Sequence, residues 1–235
     1  MYFRDLSIHA SDHAEMPNGR TTNDFNLTVH AVQEIFRTFM PRKYPLDGMA
    51  KTNLTLGSSG GALQYEQLID VNIYYVEDFD FLAYFAASIQ QRDEILLSVL
   101  ERCLLDIGRR HGADPEPMRK ALSDTRACGG DRRCVMTRLS RHTKSRKLTL
   151  NVFRHICHEG ERWGIDIIDR KGTLLQSRWT AKRANWRQAG QDYRGSALRG
   201  DNFVLLDFLG RQSYKLNVIQ LEVKILGALG ASHTD

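Results

Sequence analysis

The chain has 235 residues, of which 42% are hydrophobic and 26% charged, and 33 Lys/Arg against 28 Asp/Glu leave a net charge of +5. This is ordinary globular material, and no run approaches the ~18 apolar residues that would span a bilayer, so no membrane partner is expected. The opening residues, Met1-Tyr-Phe-Arg-Asp-Leu, include an acid and no apolar h-region, so a secretory signal is not expected and the expected compartment is the cytoplasm.

Tyr2 to His9 reads as a first strand, and a polar, turn-rich stretch follows from Ser11 to Asn26. The next segment carries two patterns. Val29, Val32, Ile35, Phe36, Phe39 and Met40 follow helical spacing, whereas Leu27, Val29 and Ala31 begin a strand-like alternation that then fails. A helix ending before Pro41 is the expected outcome. Lys51 to Leu56 reads as a short strand, closed by the turn Gly57-Ser-Ser-Gly-Gly61. Ile69, Val71, Ile73 and Tyr75 alternate, which predicts one half-buried strand over Tyr65 to Val76.

Leu82, Phe85, Ala86, Ile89, Leu96, Leu100, Leu104 and Ile107 then form a single apolar stripe and predict one long helix over Phe79 to Arg110. Asp78 or Asp80 is placed to cap its first amides and Gly112 to stop it, and the stripe breaks at Arg92-Asp93-Glu94, where a kink or a local turn is expected. A second helix starts at Asp114-Pro115-Glu116, and Cys134 to His142 is predicted as a third, short one. From Leu148 onward the pattern is β. Leu148, Leu150, Val152 and Ile156 share one face, and Thr149, Asn151, Phe153, His155 and Cys157 share the other. Gly164–Ile168 and Thr173–Trp179 flank a hairpin turn at Asp169-Arg-Lys-Gly172, and Asn202–Phe208 and Ser213–Val223 flank another at Leu209-Gly-Arg211. The apolar parity switches near Val218, which predicts a β-bulge there, and the tail after Leu226 is expected to fray. Strands, then helices, then an antiparallel meander imply an α+β fold with the long helix on one sheet face. One domain over residues 1–235 is expected, with residues 113–147 as a basic helical connector.

Charge is segregated along this chain. Arg119 to Lys147 holds ten Lys/Arg against Asp124 and Asp131, a net of +8, and Arg178 to Arg199 holds six against Asp192, a net of +5. The remainder therefore sums to −8. Segregated charge concerns partners more than folding. Arg132, Arg133, Arg138, Arg141, Lys144, Arg146 and Lys147, with Trp179, Arg183, Trp186 and Arg187, are the candidate partner-binding residues. Arginine with tryptophan is the composition of interface hot spots, and it also suits stacking on single-stranded nucleic acid. The bland alternative is a solvated connector whose charges only maintain solubility.

Specific chemistry is hard to find in these residues. Gly57-Ser58-Ser59-Gly60-Gly61 matches the G-x-S-x-G of serine hydrolases, which requires strand, strained turn and helix above a parallel sheet. Here the turn runs toward another strand, and a hairpin turn is the better reading. His155, Cys157 and His158, with Cys128 and Cys134, are potential zinc ligands, but the Cys-x5-Cys spacing is wider than usual. Cys103 reads as a core residue. Cys128 and Cys134 would close a disulfide only in an oxidising compartment, and thiols are expected in the cytoplasm. No phosphate-cradling loop, dinucleotide fingerprint or HExxH occurs, so neither enzymatic activity nor a metal or other cofactor is expected.

Several stretches carry a resemblance: His13-Ala-Glu-Met-Pro-Asn-Gly19, Asn23-Asp-Phe-Asn-Leu-Thr-Val-His30, Pro41-Arg-Lys, Gly48-Met-Ala-Lys51, Asp78-Phe-Asp-Phe81 and Gly112-Ala-Asp-Pro115-Glu-Pro. In these stretches, and in the order of its elements through Gly210, the chain resembles a group of bacterial proteins associated with immunity to polymorphic or contact-delivered toxins. The likeness covers most of the chain and consists of turn residues and element order rather than reactive groups. The arginine-rich segment and the cysteine pair depart from it. The resemblance implies a non-enzymatic protein that neutralises a cognate toxin by direct binding. The basic residues imply a toxin with an acidic face. Nucleic acid is the alternative partner for the same Arg/Trp surface.

Overall fold

The computed structural model describes residues 1–181, 184 and 193–231, with the backbone alone over 226–231. The fold is α+β, and the chain divides into two compact units, Met1–Arg132 with Ile156–His158, and Arg133–His155 with the residues from Glu159 onward.

In the first unit, β1 (Asp5–Ala10), β2 (Lys51–Leu56), β3 (Tyr65–Leu68) and β4 (Val71–Val76) form one sheet in the order β1-β2-β4-β3. The three strands β1, β2 and β4 are parallel, and only β3 runs antiparallel to its neighbour. One face is apolar, with Leu6, Ile8, Ala10, Leu54, Leu56, Tyr74 and Val76 buried in a single core. Five helices contribute to that core: α1 (Thr22–Thr28), α2 (His30–Phe39), α3 (Phe81–Ala86), α4 (Ile89–Arg110) and α5 (Glu116–Ala127). Phe25 meets Phe79, Phe81, Tyr84 and Phe85 edge-on at 5.2–6.4 Å, the arrangement that ring quadrupoles favour.

Helix α2 and its end before Pro41 match the sequence pattern, as do β2 and the start of α5. Other elements differ from expectation, each for a local reason. The turn-rich stretch before residue 27 contains α1, started by a capping box in which Thr21 and Asp24 satisfy each other's amides. The predicted strand 65–76 is two strands of a hairpin, reversed at Ile69, whose φ of 54° is rare for a β-branched residue. Its buried face holds Asn72, Tyr74 and Val76, and the alternating Val71, Ile73 and Tyr75 are left half-buried on the other side. The long helix is interrupted at Ala87–Ser88, where Ser88 and Gln91 form a second capping box. The Arg92 region does not kink. Arg92 instead donates to the carbonyls of Tyr84 and Phe85 in the last turn of α3. Asp80 caps α3, and Gly112, at φ 70°, follows the end of α4.

The second unit has two sheets. β5 (Arg132–Val135), β7 (Leu148–Cys157), β8 (Gly160–Asp169) and β9 (Leu174–Trp179) lie in that order, with the short β6 (Arg141–His142) also paired to β7. β10 (Gly195–Arg199), β11 (Asn202–Leu206) and β12 (Gln212–Asn217) form an antiparallel meander, followed by α6 (Val218–Ala231). Leu148, Leu150, Val152, Trp163, Ile165 and Ile167 share one core with Phe203, Leu205, Leu216, Val218 and Leu221. Both predicted hairpins form, with Gly172 and Gly210 at positive φ. The short helix expected over 134–142 is instead β5, a 3-10 turn and β6. The parity switch at Val218 is the start of α6, capped by Asn217 through Gln220 N–H, and no bulge is involved.

Among the described residues, no strand lies beyond the outer edge of β1. Ile8 N–H donates to Gln33 Oε1 (2.8 Å) and Ala10 N–H to Asn26 Oδ1 (3.0 Å), so two helix side chains stand in for a neighbouring strand. Gln33→Leu would leave a strand amide unmatched. It is expected to cost about 1–3 kcal/mol, read as a lower urea midpoint at unchanged m-value.

His158 Nε2 lies 3.1 Å from Asp93 Oδ2, and its ring crosses Gly130, where a Cβ would come within 2.0 Å. The hydrogen bond to Asp93 raises the His158 pKa above 6.5, burial opposes the rise, and the charges of Asp93 and Asp131 add to it. A raised folded value means that the pair stabilises fully below pH 6.5 and loses its contribution as pH climbs through that raised value. The melting temperature of the wild type, measured against His158→Gln, should therefore fall across that window.

Candidate partner-binding surface

Alternation along β7 and β8 puts Leu150, Val152, Trp163 and Ile165 into the core and turns Phe153, His155, Arg162, Gly164 and Asp166 to the opposite face. On β9, Trp179 pairs with Gly164 and Ser177 with Asp166, which brings both to that same face. Phe153 fills the space that Gly164 leaves, and a Cβ on Gly164 would stand 2.2 Å from Phe153 Cζ. The Trp179 ring meets Phe153 edge-on at 5.2 Å and tilts against His155 at 5.7 Å. Two guanidinium groups complete the cluster, Arg133 at 3.4 Å from the Phe153 centroid and Arg162 at 4.4 Å from that of Trp179. Arg133 is also ion-paired with Asp166, which accepts from Ser177 as well. Trp179 nevertheless remains 41% exposed. The result is an ordered aromatic and cationic patch whose anchor is held by its neighbours.

At the end of the same strands, two turns are fastened to each other. In the β6–β7 turn, Thr143 N–H reaches Leu148 O (2.9 Å), Arg146 N–H reaches Thr143 O (2.9 Å), and Lys147 N–H reaches Ser145 Oγ (3.1 Å). In the β8–β9 turn, Asp169 Oδ1 accepts from Lys171 and Thr173 N–H, both at 2.8 Å. Arg170 joins the two by donating to the carbonyls of Arg146 (2.9 Å) and Ser145 (3.3 Å). Lys144, Arg146, Lys147, Arg170 and Lys171 are all exposed. Among the described residues none of the five is ion-paired: Asp169 is taken up by backbone N–H groups of its own turn, and Glu222 accepts from Ser145 (2.6 Å). This end of the unit is strongly positive.

The candidate residues thus fall in several places. Arg133 and Trp179 share the sheet face, and Lys144, Arg146 and Lys147 share the turn. Arg138 is exposed beside them in sequence. Arg141 is occupied, donating to the carbonyls of Arg138, Ser140 and Ser196. Arg132 belongs to the first unit, stacked 3.6 Å from the Phe39 centroid. Arg183, Trp186 and Arg187 lie outside the described residues. The sequence reading missed Phe153, Arg162 and Gly164 on the face and Arg170 and Lys171 in the second turn. Arg170 and Lys171 stand within Asp169-Arg-Lys-Gly172, whose sequence signals a turn conformation but not a charge cluster.

The other motifs behave as structural parts. Ser59 is 8% exposed, donates to Glu77 and accepts from Gly61 N–H, and the chain continues into β3 and not into a helix. The Gly57–Gly61 turn is not a hairpin, because β2 is flanked by the parallel strands β1 and β4. Among the described residues no group of three or more His, Cys, Asp or Glu is gathered to hold a metal ion. No disulfide links the four cysteines, and burial raises the Cys103 thiol pKa to about 12. Among the described residues, no helix is long and apolar enough to cross a membrane.

Comparison with protein-family models, with curated proteins and with solved structures finds no match in any of the three.

Gly164→Ala should expel Phe153 from its slot and uncouple Trp179. A stability loss of about 1–3 kcal/mol is expected, together with altered tryptophan fluorescence, both measured in one urea titration.

Proposed function

We propose that this chain is a non-catalytic binding protein that captures an acidic protein partner through the fastened turns of the second unit. The cluster of Lys144, Arg146, Lys147 and Lys171, exposed and without ion pairs among the described residues, carries this reading, with Arg170 adding its charge while it clips the two turns together. Most of the other arginines are already committed. Arg92 and Arg141 brace carbonyls, and Arg102, Arg126 and Arg154 pair with Asp78, Glu94 and Glu101, and Glu161. Cations with no carboxylate partner among the described residues are available to an outside one, and they speed encounter with a surface of opposite charge. Trp179 beside Arg133 and Arg162 supplies the desolvated anchor that such interfaces use.

The sequence resemblance supports a cognate toxin as that partner, neutralised in the cytoplasm by physical obstruction. Nucleic acid would draw on the same cations. Arg162 already covers part of Trp179, which leaves less of the ring for a base to stack on, so the protein partner is favoured.

Charge reversal tests the reading: Lys144→Glu with Lys147→Glu and Lys171→Glu. The variant should keep its melting temperature, slow association with the proposed cognate toxin by about tenfold or more at low salt, and lose growth protection on co-expression. Unchanged association and protection would refute the docking site. Retention of single-stranded DNA by the wild type, abolished in the variant with no toxin binding by either, would support the nucleic-acid alternative.

A further inference from the structure

Parallel strands leave their carboxyl ends on one edge of a sheet, and open sheets of this kind take ligands in the crevice outside that edge. In the first unit β1, β2 and β4 end together at Ala10, Leu56 and Val76. A cavity of about 560 Å³ opens there, within the range that holds small ligands. Its apolar wall is built from Phe79 and Phe81, in contact at 4.8 Å, with Leu82, 60% exposed, also lining it. Its charged lining is Glu15, Glu77 and Asp80, with His13 as the one other titratable group and no Lys or Arg.

These carboxylates are not consumed by the fold. Glu77 accepts one hydrogen bond from Ser59, Asp80 accepts one from Ala83 N–H, and no ion pair reaches any of the three among the described residues. Nearby Asp78, by contrast, is bound by Arg102 through two 3.1 Å contacts. A carboxylate has roughly four acceptor positions, so each of the three retains capacity. Exposed carboxylates and the half-buried ring of Phe79 thus line one ligand-sized space, a combination that suits a cation. A cation on an apolar stem would satisfy the carboxylates with its head while its body, or the charge itself, lies on the rings.

We propose that this cavity binds an organic cation, a primary ammonium or guanidinium group on a short apolar stem. The site lies wholly in the first unit and does not depend on partner capture by the basic turns. The source of the group is either a free amine or a lysine or arginine side chain on a peptide.

The test is titration of the full chain, labelled at its methionine methyls, with benzylamine, agmatine and a blocked Gly-Arg-Gly peptide, with benzyl alcohol as the neutral isostere. Met16 lines the cavity and reports occupancy. Benzylamine or agmatine should move the Met16 methyl saturably, and benzyl alcohol should not. Glu15→Gln combined with Glu77→Gln keeps an acceptor for Ser59 and should weaken binding by about tenfold at unchanged melting temperature. Stronger binding of the peptide than of agmatine assigns the site to a side chain, and the reverse assigns it to a free amine. Equal shifts from benzyl alcohol, undiminished affinity in the double variant, or no shift of Met16 at saturating amine would each overturn the proposal.

Discussion

The proposed interface depends on an absence, the missing side chain of Gly164. β8 passes close enough to β7 that the Phe153 ring occupies the room a Cβ would need. With Phe153 seated there, Arg133 settles over its face and Trp179 against its edge, and Arg162 follows onto Trp179. Each member restricts the next, so an exposed tryptophan is presented with little rotamer freedom left to lose on binding. Preorganisation of this kind converts contact area into affinity, because the ordering cost is met during folding.

Positive charge in this molecule serves two ends that composition cannot separate. Some guanidinium groups complete the fold: Arg92 closes the end of one helix, Arg141 gathers three carbonyls, and Arg170 clips two turns. Lys144, Lys147 and Lys171 do nothing comparable inside the described chain. Lysine cannot bridge carbonyls in the forked manner of arginine, and its hydrated ammonium stays at the surface. Within the basic stretches, lysine is therefore the better marker of unspent charge, and a plain sum overstates the interface.

Legibility in the sequence followed local chemistry. β2, α2 and the two late hairpins could be read because periodicity, a following proline or a glycine at the turn announces them. Ile69 announces nothing. A β-branched residue in the left-handed region is held there by β3 pairing with β4, and no rule of local preference would locate that reversal. Ser88 and Gln91 did carry a signal, a capping box set inside an apolar stripe, and the stripe concealed it. The parallel sheet was out of reach altogether, since β1 and β2 are separated by residues 11–50 and β2 and β4 by residues 57–70, with β3 in between. Of the binding surface, Trp179 and the lysines could be picked out as residue types. Their supports could not, because Gly164 and Phe153 acquire a role only when β7 and β8 lie side by side.

Gln33 and Asn26 have one more effect, on self-association. An unpaired strand edge is an invitation to any other extended chain, and in this sheet the β1 side is already answered from within. Among the described residues the invitation stays open along β3, a strand of four residues ending beside Ile69, which is 95% exposed. Growth of one molecule onto another through this sheet would start from that flank, and one-sided growth of that kind halts at the pair.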